Sequence, residues 1–417
     1  MAADGGNRRD PLRIAFLGPS PSETSGVPYA ANVLLQALAG AGVVIDLYST
    51  ACSPALAATP GIRVMLEPVE HTTSYRVLRR LPLLMFVWGQ TRRALAQRRL
   101  ATRMVDEHRS RHYDAVYQFS QPELLALRSR RKRLPPIVLH PEVHAAGELA
   151  WHRREDALVR QGESRVRTAV VRVMLGVRSV LQARDLRSVA AVICPSEEFA
   201  RELVRDHRVP ERTLHVVPNP IDLQRFAPGA PARRPREILF VSRMSVRKGV
   251  EMVVELTKRL DDLAGDVRVV MIGDKSLWSD YRPLLASLNP RLSEYRGHVD
   301  AALLPDLLRG ASLLVQPSRY EPFALTVGEA LACGTPVVIS DSVGAGEWLD
   351  ESCAEIFASG DADAFEAAVR SMLARLEQSE EAIRSAARTL AERAFAPQEV
   401  ARAVSAVVRQ TAEGRSG

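Results

Sequence analysis

The chain is predicted to be α/β, built as two doubly wound parallel-sheet domains that face a central cleft. Three observations predict this. At 417 residues it is longer than one ordinary hydrophobic core can organise. Short apolar runs that end in Gly/Pro loops alternate with helical stretches, the rhythm of βαβ units with right-handed crossovers. That rhythm stops at Asn219-Pro220-Ile221-Asp222, crosses the segment Ala227 to Arg236 with Pro228, Pro231 and Pro235, and then restarts. Residues 1–225 and 226–395 are accordingly read as the two domains. Residues 396–417 are read as a final helix that returns to the first domain.

The first strand is Leu12 to Leu17, closed by Gly18-Pro19-Ser20. A helix follows from about Pro28 to Ala39. Pro28 suits a first turn, and Val33, Leu34, Ala37 and Leu38 make one apolar face. Val43 to Tyr48, Tyr113 to Phe119, Pro136 to His140, Ala190 to Cys194 and Thr213 to Val217 read as further strands. Two Arg-rich helical regions, roughly 75–110 and 151–187, lie between them. The second series runs through Glu237 to Val241, Val267 to Ile272, Ser312 to Gln316 and Pro336 to Ser340. It ends in a helical Ala/Arg/Glu-rich region, Ala362 to Thr411. Ligands of such sheets sit beyond the carboxyl ends of the strands.

Composition narrows the function classes. The 46% apolar content is that of a soluble globular protein. The apolar run Leu81 to Trp88 is too short to span a bilayer, and Met1 to Asp10 lacks the apolar core of a secretion signal, so the expected location is cytoplasmic. Cys52, Cys194, Cys333 and Cys353 share no metal-binding spacing and are expected to be reduced thiols. The net charge of +7 is uneven: residues 1–222 carry +10 and residues 223–417 carry −3. A basic first half suits an anionic partner, such as a phosphate-bearing acceptor or a lipid surface. Tyr75 to His112 and Arg128 to Arg133 mix arginines with apolar residues and are candidates for peripheral contact with an anionic membrane. Core packing with solvated arginines explains the same residues.

The candidate site lies in Ser318 to Val338. Pro317 and Pro322 disfavour helix across Ser318 to Glu321, so a helix begins near Phe323 or Ala324. Its free amides and dipole form a seat for a diphosphate. Glu321 lies ahead of that seat. Glu329 lies inside the helix, roughly 8–9 Å further at 1.5 Å per residue. That span matches the reach from a hexose across a diphosphate to a ribose, and a carboxylate at either end accepts paired hydroxyls. After the strand ending at Ser242, Arg243 and Lys248 are placed to neutralise a departing diphosphate, while Arg247 is read as facing solvent.

These residues resemble the retaining GT-B glycosyltransferases of family GT4. Glu321 and Glu329 match the family's E-x7-E motif, which implies that the first contacts the donor sugar and the second the ribose. The resemblance assigns the diphosphate to Arg243 and Lys248. It implies donor contacts from Phe323, Ala324, Leu325 and Thr326, and from Gly297 and His298 in Tyr295 to Val299, a loop that packs on the base. Asn219 to Asp222 resembles the family's signature at the end of the first domain. Ser25-Gly26-Val27 stands for its glycine-rich loop, with Gly26 alone where the family has two glycines. His140 fits the family's strand-end histidine near the reacting carbon, with His144 as a nearby competitor. The usual Glu-Gly-Phe-Gly is Glu321-Pro322-Phe323-Ala324 here.

The implied architecture is GT-B, with an acceptor-binding first domain and a nucleotide-sugar-binding second domain, both Rossmann-like. The implied reaction moves a hexosyl-type sugar from a UDP-sugar to a small-molecule or lipid-linked acceptor. It proceeds on one face of the sugar, with no metal or other cofactor. Asp361-Ala362-Asp363 imitates a metal-binding Asp-x-Asp but is read as a helix cap. The alternative is a catalytically inactive relative that binds or activates another transferase. A dinucleotide oxidoreductase is a poor match, since Gly18-Pro19-Ser20-Pro21 is not G-x-G-x-x-G. Nucleic-acid binding is also a poor match, because no aromatic platform accompanies the basic charge.

Overall fold

The computed structural model describes residues 11–24, 26–69, 82–120, 124, 126–229, 235–274 and 281–414, with the backbone alone for 82–90. Tyr75 to Leu81, Ser25 and residues 230–234 of the proline-rich segment lie outside the described residues.

The first domain runs β1 (Arg13–Leu17), α1 (Gly26–Gly40), β2 (Val44–Ser49), β3 (Ile62–Leu66), α2 (Pro82–Arg111), β4 (Ala115–Ser120), β5 (Ile137–Pro141), α3 (Ala145–Arg154), α4 (Arg165–Leu186), β6 (Ala191–Cys194), α5 (Glu197–His207) and β7 (Leu214–Val216). Its seven strands are parallel in the order β3-β2-β1-β4-β5-β6-β7. The second domain runs β8 (Arg236–Val241), α6 (Val250–Arg259), β9 (Val267–Ile272), β10 (Ser293–Gly297), α7 (Leu304–Gly310), β11 (Leu313–Gln316), α8 (Leu325–Ala332), β12 (Val337–Ser340) and β13 (Ala354–Phe357). It closes with α9 (Ala362–Phe395), kinked at Ser379, and α10 (Pro397–Glu413). Its sheet is parallel in the order β10-β9-β8-β11-β12-β13.

Central strands such as β5, β11 and β12 are buried at every residue, as expected for a parallel sheet covered on both faces. The strand order reverses between β1 and β4 and between β8 and β11, so a crevice opens at the carboxyl ends of each pair. The predicted loop Tyr295 to Val299 is instead the end of edge strand β10, and the loop starts at His298. The predicted 151–187 helix is divided, with α3 and α4 separated by a short turn of helix, Asp156–Val159, and the break around Gly162.

The last helix crosses back to the first domain. Val400, Ala401, Val404, Val407 and Val408 are buried in one cluster with Leu34, Leu35 and Leu38 of α1 and with Phe16, Tyr117 and Val138 of the sheet. The crossing is fastened where Ile221 N donates to Phe395 O at 3.0 Å. Gly328 of α8 is pressed there, since a Cβ on it would lie 2.7 Å from Ile221. Asp361 caps α9 by accepting from the amides of Asp363 and Ala364 at 3.0 and 2.9 Å, as its sequence context predicts.

Candidate active site

The β8–α6 loop and the β11–α8 loop form one unit. Gly249 has φ +76°, and a Cβ there would sit 2.0 Å from Pro317 O, so only glycine lets the two backbones meet. Arg319 N donates to Arg247 O at 2.8 Å, and Arg247 Nη1 donates to Tyr320 O at 2.7 Å. Arg247 therefore does not face solvent. It is a half-buried brace with Glu321 at 3.9 Å and Glu148 of α3 at 4.0 Å. Its role is legible only once β8 and β11 are known to be neighbours.

This bracing brings Lys248 Nζ onto Glu321 Oε2. Burial, then the cations Arg247 and Arg243, push the Lys248 amine well below its ordinary value. Arg243 is exposed and has no ion-pair partner among the described residues. Arg243, Ser245 and Lys248 line a cavity of about 200 Å³ whose other wall comes from the first domain: Glu148, Trp151 and His152, with Met174 and Arg178 of α4. Glu321 borders a second, larger cavity of about 630 Å³, on the side of Gly147, Arg154 and Arg205. A guanidinium, a lysine amine and a carboxylate thus converge at the strand ends, inside the interdomain cleft.

The helix start differs in detail from a smooth N-terminus. Ala324 sits at φ +79°, ψ +84°, in the left-handed region that a β-carbon disfavours. Leu325 and Thr326, half-buried, open α8, and no acceptor among the described residues takes their amides. Phe323 points away, 2% exposed and edge-on to Phe395 at 5.7 Å, so its side chain packs the core. Glu329 is buried in α8, and burial raises its pKa to about 7, partly offset by Arg225. Arg225 is anchored on Glu23 O, Thr24 O and Ala301 O at 3.0, 2.8 and 2.6 Å and stacks 4.5 Å over Tyr29. It ties the loop before Gly26 to the second domain. Gly26 takes φ +69° at the head of α1, and Gly297 takes φ +67° ahead of the exposed His298.

His140 ends β5 but is fully buried, with Nδ1 2.7 Å from Tyr117 Oη and Nε2 3.5 Å from Glu142 Oε1. Burial lowers its pKa to about 3, so the ring is neutral at pH 7. Burial raises Glu142 to about 8, opposed by the hydrogen bond from Asn219 Nδ2 at 2.9 Å. Glu142 was not singled out from sequence, although it stands two residues after His140, and Asn219 was noted only as a signature. His144 serves the domain contact. Its Nδ1 is 3.1 Å from Tyr320 Oη and 3.2 Å from Glu202, and Tyr320 donates to Glu202 at 2.8 Å. Beside it, Glu347 of the second domain accepts from the Glu197 and Glu198 amides at 2.6 and 2.7 Å, capping α5 across the interface. Ser196 Oγ reaches Pro322 O at 3.3 Å.

Comparison with known proteins agrees with this geometry. A family model described as Glycosyltransferase Family 4 matches residues 24–225, and one described as Glycosyl transferases group 1 matches 235–375. A D-inositol 3-phosphate glycosyltransferase of Geodermatophilus obscurus is 28% identical over 58% of this chain and 60% of its own. The chain spans between 33% and 60% of the length of the curated relatives it matches. Among solved structures, a sucrose-phosphate synthase of Thermosynechococcus elongatus superposes with a TM-score of 0.69 at 19% identity, covering 96% of this chain and 98% of the other. The Anabaena protein HepE, solved with UDP and glucose, gives 0.61 at 16% identity over 96% and 100%. At such identities the structures speak for the fold, which is the GT-B arrangement of two Rossmann-like domains. Two family models that together span both domains leave one assignment: the chain belongs to the family 4, group 1 glycosyltransferases.

Proposed function

We propose that this chain is a retaining glycosyltransferase that moves a hexosyl-type sugar from a nucleotide diphosphate sugar to an acceptor hydroxyl. The observation that carries the reading is the convergence of Arg243, Lys248 and Glu321 at neighbouring strand ends, beside the open amides of α8. The Arg243 guanidinium, with Lys248 drawn to its charged form by the bound diphosphate, stabilises the oxygen on which charge develops as the diphosphate leaves. The departing phosphate takes the acceptor's proton, and the acceptor attacks the same face of the sugar. Lys248 exchanges its contact with Glu321 for the diphosphate, which frees Glu321 to accept from sugar hydroxyls. Glu329 holds the ribose diol, and the second domain takes the donor while the first takes the acceptor. His140 is covered by Tyr117, Glu142 and Asn219 of its own domain, so contact with the sugar requires those side chains to move. With the domains closed, its neutral ring orders Glu142 and Tyr117.

The nucleotide is UDP in this reading, the one bound by the Anabaena neighbour. No metal is needed, because Arg243, Lys248 and the α8 amides supply the neutralising charge, so a chelator leaves turnover unchanged. A cytoplasmic enzyme in peripheral contact with the inner face of the membrane fits the exposed basic segment Arg128–Arg133. No helix among the described residues is long and apolar enough to cross a membrane.

The test is release of nucleoside diphosphate from a panel of UDP-, GDP- and ADP-sugars. One sugar should turn over, and Arg243→Ala with Lys248→Ala should lower kcat by about 10²–10³ or more. Near-normal turnover in that double variant overturns the mechanism. Silence across the whole panel points to the inactive-partner alternative.

A further inference from the structure

Helix α4 carries an apolar seam that no described residue covers. Val166, Val170, Val173, Val177 and Val180 recur at alternating spacings of four and three, and they are 74%, 40%, 68%, 57% and 70% exposed. The opposite face is the one that folds: Leu175 packs with Ala145 and Leu149 of α3, and Gln182 accepts from Ala145 N at 2.8 Å. Five β-branched residues in water on one helix face gain nothing within the monomer, so an external surface is their natural partner.

Charge identifies that surface. Arg165 and Arg167 flank one end of the seam and Arg184 and Arg187 the other, all exposed. The acid on α4 is Asp185, which is buried and paired with Arg128 at 2.5 Å. Arg131 donates to Ser188 O at 2.8 Å, which holds the basic segment Arg128–Arg133 against the same end of the helix. A second copy meeting seam to seam would set arginine against arginine in either direction, with no exposed acid on the helix to relieve it. An anionic lipid surface accepts the valines among its acyl chains and the arginines among its headgroups.

We propose that α4 docks this enzyme on anionic membrane by its valine seam, so that the acceptor is presented from the lipid. The acceptor half of the proposal rests on the transferase reading above. Met174 and Arg178, on the flank of α4 between the seam and the packed face, line the cavity that holds Arg243 and Lys248. A helix with its side chains is about 10–12 Å across. The cleft therefore opens beside the docked helix, within one helix width of the lipid surface.

The experiment is co-sedimentation with vesicles, which reads docking without activity. The protein should sediment with equimolar phosphatidylcholine and phosphatidylglycerol at low ionic strength, and not with phosphatidylcholine alone. Val173→Asp with Val177→Asp should weaken that binding about tenfold or more and leave nucleoside diphosphate release in solution unchanged. Lys132→Glu with Arg133→Glu, both exposed and outside the Arg131 contact with Ser188, should weaken it as well. No sedimentation, or equal binding by both variants, overturns the docking face. A wild-type dimer that the valine variant converts to monomer also overturns it, in favour of a second copy. Vesicle binding by a protein that turns over no donor upholds the docking face and removes the transferase reading instead.

Discussion

Ala324 is the residue where local chemistry and position disagree most openly. A β-carbon at φ +79° costs on the order of 1 kcal/mol. Ala324→Gly should raise stability by about that amount, less the entropy that glycine loses on folding, and urea midpoints of the two proteins measure it. The buried carboxyls make two further predictions. Glu142 is raised from 4.5 to about 8, so between those values the folded state holds a proton that the unfolded state has released. Its contribution to stability is full below pH 4.5 and is lost as pH rises through 8. His140 opposes this from the acid side, since its lowered value removes stability as pH falls from 6.5 towards 3. Glu142→Gln should therefore lose less stability than wild type between pH 5 and pH 8, read as the shift in denaturation midpoint. Glu329 ionises only near pH 7, and a carboxylate is the better acceptor for a diol. Nucleoside diphosphate should bind more tightly at pH 8 than at pH 6, and Glu329→Gln should flatten that difference in calorimetry.

Elements, rather than single residues, decide how the domains face each other. The amino end of α5 takes its caps from both domains: Ser196 beneath Phe199 N at 3.2 Å, and Glu347 from across the interface. Removing such a cap costs roughly 1 kcal/mol, and here that loss falls on the domain contact. Glu347→Ala should shift the protein towards an open form, visible as a larger radius of gyration in X-ray scattering, with secondary structure unchanged. The elements also show why some strands were not foreseen. β3, β10 and β13 are all sheet edges. β10, Ser-Glu-Tyr-Arg-Gly, is half-buried throughout, so polar residues dilute the apolar run by which a central strand is known.

At the scale of the molecule, the chain crosses between its domains twice, once after β7 and again between α9 and α10. Val400, Val404, Val407 and Val408 of α10 are buried in the first domain's core, each worth roughly 1.5 kcal/mol or more on burial. Ending the chain at Ala396 should uncover Leu34 and Leu35 and leave a protein that is insoluble or melts at a markedly lower temperature. A truncated chain with unchanged melting would show that α10 is dispensable to that core. The return crossing packs Ile221 and Phe395 against Gly328 of α8, the helix that carries Glu329.

By itself the sequence determined the βαβ rhythm, its interruption near Asp222, the Glu321–Glu329 spacing and the presence of Arg243 and Lys248 after a strand. Each of these is a local pattern: burial on both faces writes a strand as a run of apolar residues, and a helix writes distance as residue number. Only the tertiary structure decided what those residues touch. Arg247 became a brace because β8 and β11 are neighbours, His140 became a covered ring because Glu142 and Asn219 close over it, and Glu347 became a cap for a helix 150 residues away. The valines of α4 could be read as core from their periodicity, since period reports that a face is apolar and not whether anything lies against it. Contacts between residues far apart in the chain depend on how two sheets are ordered and docked, and no local spacing encodes that order.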